Sequence, residues 1–242
     1  MKLAALLLLL PSFASAATTN LEGSCINSDP ALVTLSRSLS PRAAISCRGS
    51  RCNQFTAGRY WGTQFGKQAA VDVFPANTAD VSAAVIAASN SPLAQKDFAF
   101  VSGAHGMTGA STSSGFLIDL TLLNTTQVLK KAIVDDTTIP VAIAYGPGAS
   151  WGSIQAATAG SGWTAVGARD STVGGGGFTL GGGVGFLANA YGLASDRMRA
   201  FEVVLMSGEI VIATKTNKYS DLFWALQGGQ GQFGVVTRFW QE

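Results

Sequence analysis

The chain has 242 residues, with 16 Lys and Arg against 14 Asp and Glu, so its formal charge is only +2. That near-balance excludes the concentrated basic surface a nucleic-acid binder needs. Charged residues are 12% of the chain and 29 positions are glycine. That is far less charge and more glycine than the averages of about 25% and about 7%, and the apolar content argues against disorder.

At the N-terminus, Lys2 precedes an apolar run (3–10), and Ala14-Ser15-Ala16 follows as a small-x-small site. Residues 1–16 are therefore read as a signal peptide and the protein as secreted. The apolar run falls short of the about 20 residues a membrane span requires, so no membrane partner is expected. Cys25, Cys47 and Cys52 allow one disulfide and leave three pairings open. Cys47 and Cys52 lie close together, but the chain's single histidine is far off. Too few ligands are gathered there for zinc, and no metal is expected. Asn124-Thr125-Thr126 is an N-glycosylation sequon, with Asn124 as the acceptor.

Residues 17–64 read as an N-terminal extension, with a helix opening at Ser28-Asp29-Pro30, where an acidic cap precedes proline. VDVF (71–74) is a strand, and the helix after it, over 80–90, carries Val81, Val85 and Ala88 on one face. FAFV (98–101) is a second strand that runs straight into a glycine-containing loop. FLIDL (116–120) alternates as a half-buried strand does. VAIAY (141–145) stops at Gly146-Pro147-Gly148, and 149–159 is a helix. FEVVLM (201–206) and EIVIAT (209–214) flank Ser207-Gly208 as a hairpin. Ser220-Asp221 caps a short helix, and VVTRFW (235–240) is the last strand. This order predicts an α+β architecture in two lobes. Trp151, Trp163 and Trp224 lie in apolar runs, so core positions are expected for all three rather than carbohydrate platforms. Asp119, Asp196 and Glu202 show no pairing pattern and receive no acid–base role.

Glycine is bunched at 174–177, 181–185 and 228–234. Bunched glycine lets backbone N–H groups approach a ligand and point at phosphate oxygens. A helix starting near Gly181 to Gly183 would add the positive end of its dipole. The dinucleotide fingerprint G-x-G-x-x-G matches at Gly229, Gly231 and Gly234, but a strand follows it, which is the wrong context. Its variant at Gly183, Gly185 and Ala188 sits inside the expected helix start and has no acidic partner about 20 residues on. His105 follows directly on the 98–101 strand, after Ser102, Gly103 and Ala104, small residues that let a flat ligand come against its ring. No G-x-S-x-G elbow exists to present a serine nucleophile, which argues against a hydrolase.

Six segments carry a resemblance: VFPANTADV (73–81), VSGAHG (101–106), YGPGASWG (145–152), TVGGGGFTLGGGVG (172–185), YGLASDRMRAFEVVLMSGEIV (191–211) and DLFWALQGGQGQFGVVT (221–237). In this order the chain resembles the FAD-linked oxidoreductases of the berberine-bridge-enzyme-like group, with a flavin domain of p-cresol methylhydroxylase or vanillyl-alcohol oxidase type. The resemblance implies an FAD-binding domain over 65–242 in two subdomains, with their boundary near 135–140. It implies that His105 bonds covalently to the flavin 8α-methyl carbon. Ser102, Gly103, Ala104, Gly106, Thr172, Val173, Gly174, Gly175, Gly177, Gly181, Gly182, Gly183 and Ile210 match positions around the cofactor. The implied chemistry is hydride transfer from an alcohol, sugar or secondary-metabolite carbon to flavin N5, with oxygen as acceptor.

The departures refine these expectations. Asp170 stands where bicovalent members have a cysteine, which leaves a single link through His105. Val101 replaces a basic residue and Ala104 a glycine. Gly175 replaces a bulkier residue near the flavin face, which favours an oxidase. The catalytic base is unassigned, because the family carries it in a C-terminal substrate domain that is expected to be missing here. The alternative reading is a truncated, non-catalytic FAD-binding fragment. A glycine-rich structural protein is disfavoured, because residues 221–237 are not repetitive.

Overall fold

The computed structural model describes residues 20–22 and 24–242; the signal-peptide reading of residues 1–16 lies outside them. The first lobe is built on a five-stranded sheet of β1 (Asn20–Glu22), β2 (Ala44–Cys47), β3 (Val71–Phe74), β4 (Phe98–Val101) and β5 (Phe116–Asp119), in the spatial order β1-β2-β3-β5-β4. Helix α1 (Pro30–Ser38) starts as its sequence predicts: Asp29 Oδ1 accepts the Ala31 N–H at 2.9 Å, with Pro30 as the first helical residue. A disulfide joins Cys25 to Cys47 on β2, with Cα atoms 5.8 Å apart, and buried Cys52 on α2 (Arg51–Gly58) lies outside it. Closing a loop of this size contributes about 3 kcal/mol. Residues 44–47 and α1 are thus integral to this lobe, because β2 pairs directly with β3.

Helix α3 (Thr78–Asn90) begins two residues earlier than the pattern suggests, because the Asn77 side chain caps it by accepting the Asp80 N–H at 2.8 Å. Val81, Val85 and Ala88 are buried as expected. The short α4 (Pro92–Lys96) follows, capped by Ser91. Strand β5 departs from the half-buried expectation. It lies between β3 and β4, parallel to both, and all four of its residues are buried. Phe116 and Ile118 join the main core, while Leu117 packs with Tyr60, Val101 and Ala104. A nearly continuous apolar run is the mark of a parallel strand covered on both faces.

The chain leaves the first sheet at Asp119 and enters the second at Thr126. That passage precedes the expected boundary at 135–140. The second sheet is antiparallel throughout, in the order β11 (Ile210–Thr214), β10 (Met198–Val204), β12 (Val235–Gln241), β9 (Ala142–Tyr145) and β6 (Thr126–Leu129). The 201–214 hairpin forms as predicted, and Gly208 turns it at φ +86°. A small separate hairpin, β7 (Ala132–Val134) and β8 (Thr137–Ile139), packs beside it and is tied down by Asp136, which accepts from Thr214 and Thr216 at 2.8 Å each. Helix α5 (Trp151–Thr158) is capped by Ser150.

Two helix expectations are corrected. Helix α6 (Gly175–Leu180) ends at Gly181 instead of a helix beginning there, because Gly182 and Gly183 take φ +97° and +81°. The next helix is the single turn α7 (Ala188–Tyr191). Helix α8 (Ser220–Ala225) has Tyr219 before it and no side-chain cap; Ser220 is its first helical residue. The tryptophan expectation holds only for Trp151, which is fully buried; Trp163 and Trp224 are 54% and 78% exposed. Trp163 follows the Gly160 and Gly162 turns, both at positive φ, and α8 turns Phe223 inward so that Trp224 faces out.

The lobes meet along two seams. Val204 and Val235 of the second sheet pack into the first lobe's core beside α3, whose Thr78 and Ser82 hydroxyls donate to Glu202 Oε1 and the Gly208 carbonyl at 2.6 Å each. The second seam is formed by the glycine loops. Among the described residues no helix is long and apolar enough to cross a membrane.

Candidate functional site

The second seam brings together the loops that leave β4 and β9 and the loop that enters α6. At the end of β4, the Ser102 hydroxyl donates to the Pro147 carbonyl, just past β9, at 2.5 Å. Next to it, Gly103 and Gly174 touch backbone to backbone. A Cβ on Gly103 would stand 2.2 Å from the Gly174 nitrogen, and one on Gly174 would stand 2.4 Å from the Gly103 nitrogen. No side chain fits at either position, so glycine is what lets the loops meet.

Ala104 sits at φ +57°, in the left-handed region where glycine is usual. Its methyl is buried with Tyr60, Val101 and Leu117, so the departure from glycine is accommodated by packing inward. None of the backbone N–H groups of Gly103, Ala104, His105 and Gly106 has a protein acceptor among the described residues. A run of unmatched N–H donors around a left-handed residue is how backbone anion sites are built.

His105 is half-buried between the loops. Trp61, which the sequence does not single out, stacks on its ring at 4.9 Å between centroids and 22° between planes. Its Nε2 lies 2.8 Å from Thr172 Oγ1, and Thr172 in turn donates both its N–H (2.8 Å) and its hydroxyl (2.7 Å) to Asp170 Oδ1. Partial burial holds the His105 pKa below the usual histidine value, and Asp170 pulls in the opposite direction. Asp170 itself is held below the usual carboxylate range by the Thr172 hydroxyl and N–H.

Of the positions expected around a cofactor, Ser102 to Gly106 and Thr172 to Gly177 come together here. Gly177 is open, with nothing within 4 Å of an added Cβ. Gly175 is not: an added Cβ would point into the second lobe's core, 3.2 Å from Ile154 and the Tyr145 ring. That direction gives no support to the expectation that Gly175 favours an oxidase. Gly182 and Gly183 use their carbonyls to accept Ser195 and Ala194 N–H groups at 2.9 and 3.0 Å. Ile210 stands at the start of β11, opposite Val204, with its side chain exposed. Asn124 is exposed in the passage between lobes.

Behind the β4 loop lies a polar network. Arg59 Nη1 donates to the Ser102 carbonyl and Nη2 to Asp119 Oδ1, both at 2.7 Å; Thr56 donates to Asp119 Oδ2 at 2.8 Å. Asp119, given no pairing from its strand position, is thus in a buried ion pair. Arg59 brings a cation to the end of β4, where Val101 carries none. Nearby Asp72 is buried, and among the described residues its carboxyl takes one hydrogen bond, from Asn53 at 3.0 Å, with Oδ1 unpartnered. Burial first, and then the Asp119 charge, push its pKa up to about 8. Asp196 acts locally, accepting from the Leu193 N–H, while Glu202 accepts from the Thr78 and Thr237 hydroxyls at the seam between the lobes.

Two loops that touch through glycine backbone, four unmatched N–H donors and a nucleophilic ring nitrogen between the lobes suit a flat, phosphate-bearing cofactor. Comparison with known proteins agrees. A family model described as an FAD binding domain matches residues 69–214. An FAD-dependent monooxygenase of Arthrobotrys oligospora is 36% identical over 69% of this chain and 31% of its own length. The VAO-type flavoprotein of Myceliophthora thermophila superposes with a TM-score of 0.65 at 32% identity, over 74% of this chain and 32% of that one. For 6-hydroxy-D-nicotine oxidase of Arthrobacter nicotinovorans the TM-score is 0.71 at 25% identity, over 83% and 42%. The chain spans about a third of the length of the curated relatives it matches. It belongs to the FAD binding domain family of FAD-linked oxidoreductases, with the α+β fold of the VAO-type flavoproteins.

Proposed function

We propose that the chain is the flavin-binding part of a secreted FAD-linked oxidase and carries its FAD on a single covalent bond to His105. The observation that carries this reading is the placing of His105, the chain's one histidine, between the two glycine loops under the Trp61 ring. When bound, FAD supplies the redox chemistry, taking a hydride from a substrate carbon and passing the electrons to oxygen. The protein's part is to hold and orient it. The N–H groups of residues 103–106 would meet the cofactor's phosphates, Gly103 and Gly174 keep the two loops in contact, and Arg59 fixes the Ser102 carbonyl at the loop's root.

Asp170 at the cysteine position supports one link rather than two, because a carboxylate there has no thiol chemistry to offer. The Cys25–Cys47 disulfide supports an oxidising compartment, and exposed Asn124 is an accessible site for glycosylation there. The substrate, a small alcohol, sugar or secondary metabolite, would meet the flavin where the lobes join.

The test is an absorption spectrum of the purified chain, repeated on the pellet after acid precipitation. Flavin bands that stay with the pellet, and move to the supernatant in His105→Ala, support the reading. Flavin that leaves the wild-type pellet removes the covalent bond, and no flavin in the folded chain removes the function.

A further inference from the structure

The loop over 165–174 runs between two glycine contacts. Its Gly174 end meets Gly103 of the His105 loop. Toward its other end Gly167 meets Gly185, where an added Cβ would stand 2.1 Å from the Gly167 carbonyl oxygen. Arg169 lies between these contacts, and both of its flanks are fastened to the second lobe. Before it, the Val166 and Ala168 carbonyls accept from the Gln241 and Gln155 side-chain amides at 3.3 and 3.4 Å. After it, the Ser171 and Val173 carbonyls accept the Gly152 and Trp151 N–H groups at 2.9 Å each. Ala165, Val166 and Ala168 are buried, whereas Arg169 is exposed. The fold thus holds this backbone in place and presents one cation, a residue before Asp170, whose partner Thr172 reaches His105.

That cation is uncommitted. Arg59, Arg199 and Arg238 are tied to Asp119, Glu242 and the Gln127 side-chain oxygen. Among the described residues the Arg169 guanidinium has no ion pair and no hydrogen bond. Neighbouring Asp170 directs Oδ1 at Thr172 instead. The guanidinium lies over the Phe186 ring, 5.9 Å from its centroid. Phe186 is 80% exposed, and Val184, two residues before it, is 68% exposed. A guanidinium that rests its flat face on a ring keeps its edge N–H donors free for a planar, bidentate acceptor.

We propose that Arg169, Phe186 and Val184 form a substrate subsite for a carboxylate carried on a flat apolar body, that is, an aromatic or similarly flat organic acid. The carboxylate takes the guanidinium edge, and the apolar body covers Val184 and the open part of the Phe186 ring. Charge complementarity sets the sign of the ligand, and the exposed apolar wall sets its body. A free phosphate or a sugar would leave that wall in water. The subsite narrows the substrate of the proposed oxidase and rests on that reading for turnover only; binding belongs to these residues alone.

The experiment is a 19F NMR titration of the full chain, loaded with FAD and again without it. The probes are 4-fluorobenzoate and its neutral counterpart 4-fluorobenzamide. The benzoate should bind saturably and the benzamide about tenfold more weakly, the effect of losing a charge-assisted hydrogen-bonded pair. Arg169→Gln should lower benzoate affinity about tenfold and leave the benzamide unchanged. Arg169→Lys keeps the charge without the fork and should recover part of the loss. Phe186→Ala should weaken both probes. Both positions are exposed, where substitution changes stability little. Equal affinity for the two probes, no saturable benzoate binding, or an affinity unmoved by Arg169→Gln overturns the subsite. In the last case, displacement by inorganic phosphate would place the carboxylate on the N–H groups of residues 103–106. Arg169-dependent binding in a chain that takes up no flavin keeps the subsite and removes the oxidase, whereas a flavin-loaded chain without such binding does the reverse.

Discussion

The two lobes are held together internally by different means. The second lobe's core is an aromatic stack. Tyr145 lies flat on Phe239 at 5.1 Å, Trp151 meets Tyr145 and Phe178 edge-on, and Phe201 bridges Phe223 and Phe239. Its buried hydrogen bonds join neutral groups, such as the Tyr145 and Thr179 hydroxyls at 2.8 Å and the Gln241 amide with the Ala194 carbonyl at 3.1 Å. The first lobe instead buries Asp119, Asp72, Asn53 and Thr56, with partly buried Arg59, beneath the loop that bears His105. An apolar core is indifferent to pH, whereas a buried set of carboxylates is not. The ionisable network therefore lies under the half of the site that presents the His105 ring.

The largest expected effect breaks that network. Asp119→Ala leaves the partly buried Arg59 without its partner and should cost about 3 kcal/mol in urea unfolding, the low end for loss of one member of a buried pair. The loop from Ser102 to Gly106 should loosen with it, because Arg59 also holds the Ser102 carbonyl. Hydrogen exchange at 103–106 is the local readout.

A second substitution sharpens the contrast in pH. The Asp72 pKa is raised from its ordinary value to about 8 in the folded chain. Between the unfolded value and about 8 the native state holds a proton that the unfolded chain has lost, so stability falls as pH rises through that window. Asp72→Asn keeps an acceptor for Asn53 and cannot ionise. The difference in stability between variant and wild type should grow in the variant's favour from pH 5 to pH 8, by up to about 1.4 kcal/mol per pH unit. A difference that is flat across that range would show that Asp72 does not hold its proton.

The smallest effect belongs to the second lobe. Ile154→Val trims one methyl group from a fully buried position and should cost about 0.5–1.5 kcal/mol. That cost should be the same at pH 5 and pH 8.

The sequence made legible what local chemistry writes. The Asp29-Pro30 helix start, the face of α3, the Ser207-Gly208 hairpin and the loop after β4 all follow from neighbours a few residues apart. It was silent where contacts cross the chain. Nothing near Arg59 announces Asp119, Ser102 or the end of β4, and Trp61 meets His105 only after the first lobe has closed. The helix expected at Gly181 to Gly183 failed because glycine there adopts positive φ and stops α6 instead. The direction of the missing Cβ at Gly175 was hidden for a related reason: it is set by the β9 and α5 packing, which no motif records.

The central claim is the bond between His105 and the flavin, and peptide mass spectrometry of the flavin-loaded chain tests it most directly. The account predicts that the peptide containing His105 gains the mass of FAD less two hydrogen atoms, with fragment ions placing the gain on that residue. An unmodified His105 peptide from a chain that has bound flavin would contradict it.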